Sequence, residues 1–278
     1  MRPEPRLLKM APIVLVHGAY TGGWVWSETA SSLTALGHVV YTPTLTGCGE
    51  RSHLLRPGVG FALHVQDVSH LLFYQNLQGA ILVGHGYGGM VAATVAHRLM
   101  ANAGGMIHVD GVIPKRGSSY ADLAGNRLRQ DLAGQENGSW LVSPPAAETF
   151  GIADDSLRSW LSLRIQPFPQ RAFTQANPYG AKVRKLPSAF VHCTGNACHL
   201  AKAMAARAEI SGMRRVELEA GPYPMVTAPQ ELAVLIDQLA KEAANPVVPK
   251  TSRKAPRREA QTPRTWVNTF PGIFISEG

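Results

Sequence analysis

A strand that passes through a glycine-rich turn directly into a helix is the feature that most constrains the fold of this chain. Residues 80–98 read AILVGHGYGGMVAATVAHR, with a continuous apolar run first and apolar residues at helical spacing after the glycines. A short apolar run without alternation is typical of a strand buried on both faces, as in a parallel sheet. A second such run, PIVLVH at 12–17, also ends at a glycine. The two segments predict a parallel sheet covered by helices.

Strand and helix patterns alternate along the rest of the core. Further strands are predicted over 38–45, 104–114, 188–194 and 214–221. Helices are predicted over 61–77, 88–100, 201–211 and 229–244, and one of roughly four turns within 18–37. The predicted fold class is therefore α/β, with a mostly parallel, doubly wound sheet.

The chain divides by composition into a core, an insertion and a tail. Between residues 115 and 183 the periodic pattern loosens, and because this segment is too long for a loop, we expect a helical cap over the sheet. The core is then 11–114 together with 184–244. Residues 245–278 combine several prolines with six basic and two acidic residues, so we expect a basic, disordered tail.

Composition limits the classes of protein to which the chain can belong. Of its 278 residues 45% are hydrophobic, which is enough for a well-buried core, and no apolar run reaches the roughly 18 residues of a membrane-spanning helix. Three cysteines and the lack of a signal-peptide pattern predict a cytoplasmic protein that starts at Met1 or Met10. The net charge of +8 has no accompanying aromatic pattern, so we expect no nucleic-acid partner. The sequence leaves the oligomeric state open.

Five stretches of the sequence together resemble one branch of the α/β-hydrolase superfamily. They are IVLVHGAYTGGWVW, TGCGERSHL, ILVGHGYGGMVA, SPPAAETFGI and GPYPMVTAPQELA. Their order is similar to that in plant methylesterases, hydroxynitrile lyases and bacterial salicylate-esterase-like proteins. The resemblance implies the α/β-hydrolase fold and a site at residue 86, where such enzymes carry a G-x-S-x-G nucleophile elbow.

All three catalytic positions that the resemblance implies are substituted. The nucleophile position is Gly86, which has no side chain and cannot form an acyl intermediate. The base position is Pro222, whose side chain has no proton acceptor. The acid position falls at Gly195 and Asn196, neither of which is a carboxylic acid. Three separate losses predict a chain that does not hydrolyse esters through a serine.

Backbone donors and aromatic side chains of the implied site remain. The N–H groups of Ala19 and Tyr87 occupy the two oxyanion-hole positions, and these donors do not depend on a side chain. We therefore expect a cleft that binds a carbonyl or carboxylate oxygen, with His17 and His85 supporting the loops around it. The candidate lining residues, for which core packing is the alternative, are Tyr20, Trp24, Trp26, Trp160 and Phe168.

Four other side chains could serve chemistry in a changed site. Asp110 could be a surviving acid, with a structural role as the alternative. Cys198 and His199 should lie at the rim of the site and Tyr223 follows the base position, and ordinary loop roles are the alternative for them. The HCTGNACH stretch at 192–199 misses the usual zinc-ligand spacing. We expect no metal and no cofactor.

These observations favour a protein that binds a small carbonyl-containing ligand without hydrolysing it. An enzyme with altered chemistry, such as a lyase, isomerase or cyclase, is one alternative. An esterase-like hydrolase, expected from family membership alone, is another. A decayed gene product without function is the third.

Overall fold

A computed structural model describes residues 10–133, 139–177 and 186–244, and every structural statement below refers to these ranges. The predicted basic tail, 245–278, lies outside them. The described strands are β1 (Ile13–Val16), β2 (Val40–Tyr41), β3 (Ala80–His85), β4 (Ala103–Val109), β5 (Leu141–Val142), β6 (Phe168–Pro169), β7 (Ser188–Cys193) and β8 (Arg214–Leu218).

Helices surround these strands along the described chain. The α-helices are α1 (Ser27–Ala35), α2 (Phe61–Tyr74), α3 (Tyr87–Arg98), α4 (Tyr120–Ala124), α5 (Asn126–Ala133), α6 (Asp155–Ser162), α7 (Gln170–Thr174), α8 (His199–Ile210), α9 (Pro224–Thr227) and α10 (Pro229–Ala244). Within the described ranges, no helix has both the length and the apolar character needed to cross a membrane.

Six of the strands form one sheet in the order β2-β1-β3-β4-β7-β8. Every pairing between the described strands of this sheet is parallel. The predicted parallel sheet is thus confirmed, and parallel strands bring all their carboxyl ends to one edge. In open α/β sheets that edge is where ligands bind.

The sheet is buried on both faces, which explains its continuous apolar strands. Side chains alternate along a strand, so Val14 and Val16 of β1 pack with α2 and α3, while Ile13 and Leu15 pack with α1 and α10. All four side chains have 0% exposure to solvent. Two hydrophobic layers therefore hold the sheet between its helices.

The segments on either side of α1 differ from the sequence prediction. A 3-10 turn at Gly23–Trp26 takes up part of the predicted helix, and α1 has 9 residues rather than four turns. A Cβ atom at Gly23 would lie 2.1 Å from the carbonyl oxygen of Thr42, so the backbone packs directly on the chain after β2. The Gly23 N–H donates to Oγ1 of Thr44 at 2.8 Å. Residues beyond Tyr41 therefore bond to this turn, and β2 stops after two residues.

The segment between β4 and β7 contains short helices and also a small sheet. The helices are α4 to α7, and β5 pairs with β6 in an antiparallel, two-stranded arrangement. The sequence predicted helices alone here. The limits of the cap at 115 and 183 stay a prediction.

Glycines allow α3 to lie directly on the ends of the central strands. A Cβ atom at Gly88 would lie 2.3 Å from the carbonyl oxygen of His17 and 2.4 Å from that of Val16. A Cβ atom at Gly84 would lie 2.6 Å from the Cα of Gly89. These approaches are closer than any side chain permits, and they fix the position of the turn between β3 and α3.

Replacing Gly88 with alanine tests this close approach. We expect Gly88→Ala to lower the free energy of unfolding by about 2–3 kcal/mol or more, because the obstructing atoms are backbone and cannot rotate away. Urea denaturation of the purified variant measures the change. Gly58→Ala is the matched control, since a Cβ atom at Gly58 meets nothing within 4 Å. Equal midpoints for both variants would contradict the assigned packing.

Candidate functional site

The turn between β3 and α3 has the backbone of a nucleophile elbow but no side chain at its apex. Gly86 has φ 51° and ψ −118°, a conformation that costs a non-glycine residue about 1–3 kcal/mol. Its carbonyl accepts the N–H groups of Gly89 at 3.1 Å and Val112 at 2.9 Å, which hold the turn in place. A Cβ atom at Gly86 would meet nothing within 4 Å. The space into which an attacking side chain would project is therefore open.

Two main-chain N–H groups, one after β1 and one after β3, carry the predicted oxyanion-hole role. Tyr87 is the first residue of α3, so its N–H has no carbonyl of its own helix to bond. Ala19 lies in the turn that follows β1. In the described part of the chain, neither N–H donates to another main-chain carbonyl. The role of these two groups as an oxyanion hole stays a prediction.

Two histidines tie the loops around the turn together, as the sequence predicted. His85 donates from Nε2 to the carbonyl of Pro222 at 2.9 Å. A Cβ atom at Gly18 would lie 2.8 Å from Nδ1 of His85, so the imidazole packs flat on the loop after β1. Nε2 of His17 accepts the N–H of Leu45 at 3.0 Å. Burial lowers the pKa of His85, although the Asp110 carboxylate opposes part of that effect.

The predicted base position, Pro222, lies next to the elbow. The hydrogen bond from His85 brings the backbone of Pro222 beside the residue that precedes Gly86. The proline ring packs on the loop before α6, where a Cβ atom at Gly151 would lie 2.7 Å from the ring Cδ. Pro222 therefore fills space against the segment between β4 and β7 and offers no proton acceptor to the site.

The acid position is joined to Asp110 by a hydrogen bond. Nδ2 of Asn196 donates to Oδ2 of Asp110 at 2.8 Å. Oδ1 of Asp110 accepts Nδ1–H of His192 at 3.1 Å and the N–H of Cys193 at 3.3 Å. Both carboxylate oxygens are thus occupied, and they tie the end of β4 to the end of β7. This arrangement favours the structural alternative for Asp110.

Tyr87 stands at the centre of a buried aromatic cluster beside the elbow. Its hydroxyl donates to Nδ1 of His64 at 2.8 Å, and Nε2 of His64 donates to the carbonyl of Thr46 at 3.0 Å. The Tyr87 ring lies 5.1 Å from that of Phe168 and 6.0 Å from that of Phe173. Phe168, predicted as a lining residue, has 0% exposure and packs within this cluster. Burial raises the pKa of the Tyr87 hydroxyl well above its ordinary value.

The two tryptophans after β1 occupy different places. Trp26 has 0% exposure and belongs to the core between the sheet, α1 and α10. Of the two roles considered for Trp26, core packing is therefore the one that the structure shows. The sequence does not distinguish a tryptophan that packs in the core from one that lines a cleft, when both lie in a short turn. Trp24 packs edge-on against Trp160 of α6, with 5.3 Å between ring centroids. This contact fastens α6 to the loop after β1.

The remaining candidates do not form a bonded catalytic pair within the described ranges. Cys198 and His199 are exposed at the start of α8, and no hydrogen bond joins their side chains there. The Tyr223 ring packs against His85 at 5.7 Å. Burial raises the pKa of Tyr223 to about 12, so its phenolate is scarce at neutral pH and a poor general base.

Several residues of the site were not identified from the sequence. His64, Tyr120 and Phe173 join the cluster around Tyr87, and two of them come from the segment where periodicity is weak. A histidine within the apolar stripe of α2 was the one available sign for His64. The bond between His192 and Asp110 depends on the neighbouring positions of β4 and β7 in the sheet.

The sheet order, the elbow and the loops at its edge together define the α/β-hydrolase fold. A family model described as alpha/beta hydrolase family matches residues 13–235. The chain therefore belongs to the alpha/beta hydrolase family. This result confirms the resemblance that the sequence motifs indicated.

Two of the relatives to which the chain is similar are esterases, and a solved structure shares its fold. It is 37% identical over 168 residues to the carbendazim hydrolyzing esterase of Nocardioides sp. (strain SG-4G), covering 57% of this chain and 69% of that protein. It is 25% identical over 258 residues to methylesterase 10 of Arabidopsis thaliana, covering 82% of this chain and 90% of the relative. A solved structure of an extracellular alpha/beta-hydrolase from a Paenibacillus species has a TM-score of 0.72 at 21% identity, covering 82% of this chain and 98% of that one.

Buried neutral histidines predict a stability that falls in mild acid. Burial lowers the pKa of His17 and of His64 from 6.5 to about 4. The unfolded chain therefore binds protons first, so the stability present above about pH 6.5 is lost as the pH falls towards 4. Each group contributes a slope of up to about 1.4 kcal/mol per pH unit in this window.

Urea denaturation between pH 4.5 and 7.5 measures this slope. His64→Gln should reduce it, because one titrating group is removed. His70→Gln is the control, since His70 is exposed on the same helix. A pH-independent unfolding free energy for the unmodified protein would contradict the assigned burial.

Proposed function

We propose that this chain binds a small carbonyl-containing ligand at the elbow and does not hydrolyse it through a serine mechanism. The carbonyl oxygen is bound by the N–H groups of Ala19 and Tyr87. The ligand then occupies the open space above Gly86. The observation that carries the proposal is this combination of available donors with an apex that has no side chain.

The substitutions at the other two positions support the same conclusion. A serine at residue 86 would still lack a base, because Pro222 supplies only a backbone carbonyl, which accepts a hydrogen bond from His85. An acid would still be missing, because Asn196 is a neutral amide bonded to Asp110. Family membership alone favours an esterase, yet all three groups that esterases of this kind use are absent from their positions.

Altered chemistry at the same site is the second candidate, although the described geometry gives it little support. Cys198 and His199 are exposed, and both oxygens of Asp110 are bonded. Tyr223 stays protonated at neutral pH because burial raises its pKa to about 12. These features do not favour a proton-transfer role for the four candidate residues.

A cytoplasmic location is part of the proposal. Cys48 and Cys193 are buried free thiols, and Cys198 is an exposed one. Exposed free thiols are usual in reducing compartments and rare in secreted proteins. Fractionation of the producing cells would test this location.

Stepwise restoration of the triad tests whether the catalytic groups alone are missing. Gly86→Ser should fold but lose about 1–3 kcal/mol of stability, because serine is strained at φ 51°. Gly86→Ser combined with Pro222→His should hydrolyse p-nitrophenyl acetate at least about tenfold faster than the unmodified protein. Adding Asn196→Asp should raise the rate again, because a carboxylate then orients the new imidazole.

The controls are the unmodified protein, Gly86→Ser alone and Pro222→His alone, none of which has both a nucleophile and a base. A fluorophosphonate probe should leave the unmodified protein unlabelled. Probe labelling of a serine in the cleft of the unmodified protein, or its ester turnover well above buffer, would refute the proposal.

A further inference from the structure

The strand β8 lies at the outer side of the six-stranded sheet. It pairs with β7, and within the described ranges no strand pairs with its other side. The strand at the opposite end of the sheet, β2, has 2 residues, whereas β8 has 5. Proteins keep exposed edge strands short because their unpaired N–H and C=O groups bind other strands. Of the two outer strands, β8 is therefore the one long enough to pair with a further strand.

The main-chain groups of Arg215 and Glu217 point to this outer side. The carbonyl of Leu218 accepts the N–H of Thr194, which follows β7, at 2.9 Å. In a strand, the N–H and C=O of one residue point to the same side, and those of the next residue point to the opposite side. Val216 and Leu218 therefore bond towards β7. The N–H and C=O groups of Arg215 and Glu217 are directed away from it.

The side chains of the same two residues carry opposite charges. Nη2 of Arg215 donates to Oε1 of Glu217 at 2.8 Å, and Nη1 lies 3.7 Å from Oε2 of Glu209 on α8. The two β8 side chains are 34% and 59% exposed, so both remain accessible. Charges of one sign along an edge strand prevent pairing by repulsion. The order Arg-Val-Glu instead places opposite charges at equal distances on either side of Val216.

A two-fold axis at Val216 makes this strand complementary to itself. In an antiparallel pair of two β8 strands centred there, Arg215 of each copy lies opposite Glu217 of the other copy. Because the main-chain groups of both residues point outwards, each opposed pair exchanges two hydrogen bonds. The two Val216 side chains meet at the axis as a pair of β-branched residues. Main-chain bonds, ion pairs and this apolar contact thus agree on one register.

The neighbouring symmetric registers bring like charges together. An axis at Arg215 places two guanidinium groups opposite each other, and an axis at Glu217 does the same with two carboxylates. Like charges that lie directly opposite each other destabilise a strand pair. The register centred at Val216 is therefore favoured. A two-fold contact uses the same surface on both copies, so the assembly closes at two chains.

We propose that two copies of this chain associate through β8, so that their two six-stranded sheets form one continuous sheet. The partner is a second copy of the chain, and the contact surface is the outer side of β8. In the sheet, β7 and β4 lie between β8 and β3, the strand that leads into the turn at Gly86. The inference is therefore independent of the proposed ligand binding.

Sedimentation velocity of the full chain between about 1 and about 200 µM measures the association. We expect an equilibrium between monomer and dimer in this range, because an edge of 5 residues gives a small interface. Raising NaCl from about 50 to about 500 mM should weaken the dimer at least about threefold, since salt screens exposed charges. A monomer at every concentration, or an assembly larger than a dimer, would overturn the inference.

Charge reversals test the register. Arg215→Glu and Glu217→Arg should each weaken the dimer at least about tenfold, because each variant places like charges opposite each other twice. Mixing the two single variants should restore a dimer, since one copy then supplies only carboxylates and the other only guanidinium groups. The double exchange, Arg215→Glu with Glu217→Arg, should restore it as well.

Glu148→Arg is the matched control and should change nothing, because it reverses an exposed charge in a 3-10 turn between β4 and β7. Every variant is compared at native circular dichroism. A dimer that persists in both single variants would contradict the assigned surface. Failure of both the mixture and the double exchange to form a dimer would contradict the assigned register.

Hydrogen exchange locates the contact in the unmodified protein. At about 200 µM, peptides that cover β8 should exchange more slowly than at about 1 µM, because the outward N–H groups of Arg215 and Glu217 become bonded. Peptides that cover β2 should exchange at the same rate at both concentrations. Protection that rises with concentration in another segment and not in β8 would place the interface elsewhere and refute the inference.

Discussion

The contact between α3 and the end of β1 is the constraint on which the candidate site depends. Glycine at residue 88 lets the helix backbone approach the carbonyls of Val16 and His17 to a distance that no side chain permits. This approach forces a sharp turn at Gly86 and leaves the first N–H of α3 pointing away from its helix. The same packing sets the carbonyls of Val16 and His17, just before the loop that carries Ala19, against α3. The two donors are therefore a consequence of how the core closes.

The predicted loss of the triad is compatible with this arrangement, because main-chain groups and two histidines hold it. The elbow is held by main-chain hydrogen bonds to the Gly86 carbonyl, and the loops are held by His17 and His85. Glycine also relieves the strain that a serine would suffer at the apex. A site that keeps its backbone donors and loses its nucleophile retains the capacity to bind an oxygen. In the function we propose, the protein uses this capacity to bind the carbonyl oxygen of its ligand.

The electrostatics of the edge follow from burial. Histidines and tyrosines that are removed from water stay neutral, since the charged form pays the larger desolvation cost. At Asp110, the side chains of His192 and Asn196 and the N–H of Cys193 bond both carboxylate oxygens. The described cleft therefore combines neutral donors with one satisfied negative charge.

The sequence by itself determined the parallel sheet and the glycine turn at Gly86, and it predicted the catalytic positions at Pro222 and Asn196 and the two backbone donors. These follow from local patterns, since a buried strand, a glycine turn and a motif position are set by residues close together in the chain. The tertiary structure alone decided that Trp26 is a core residue, that Asp110 bonds Asn196 and His192, and that Tyr20 and Tyr120 share the support of Phe173. Those contacts join segments far apart in sequence. An aromatic or acidic residue gives the same local pattern whichever partner the packing of the sheet and its loops brings to it.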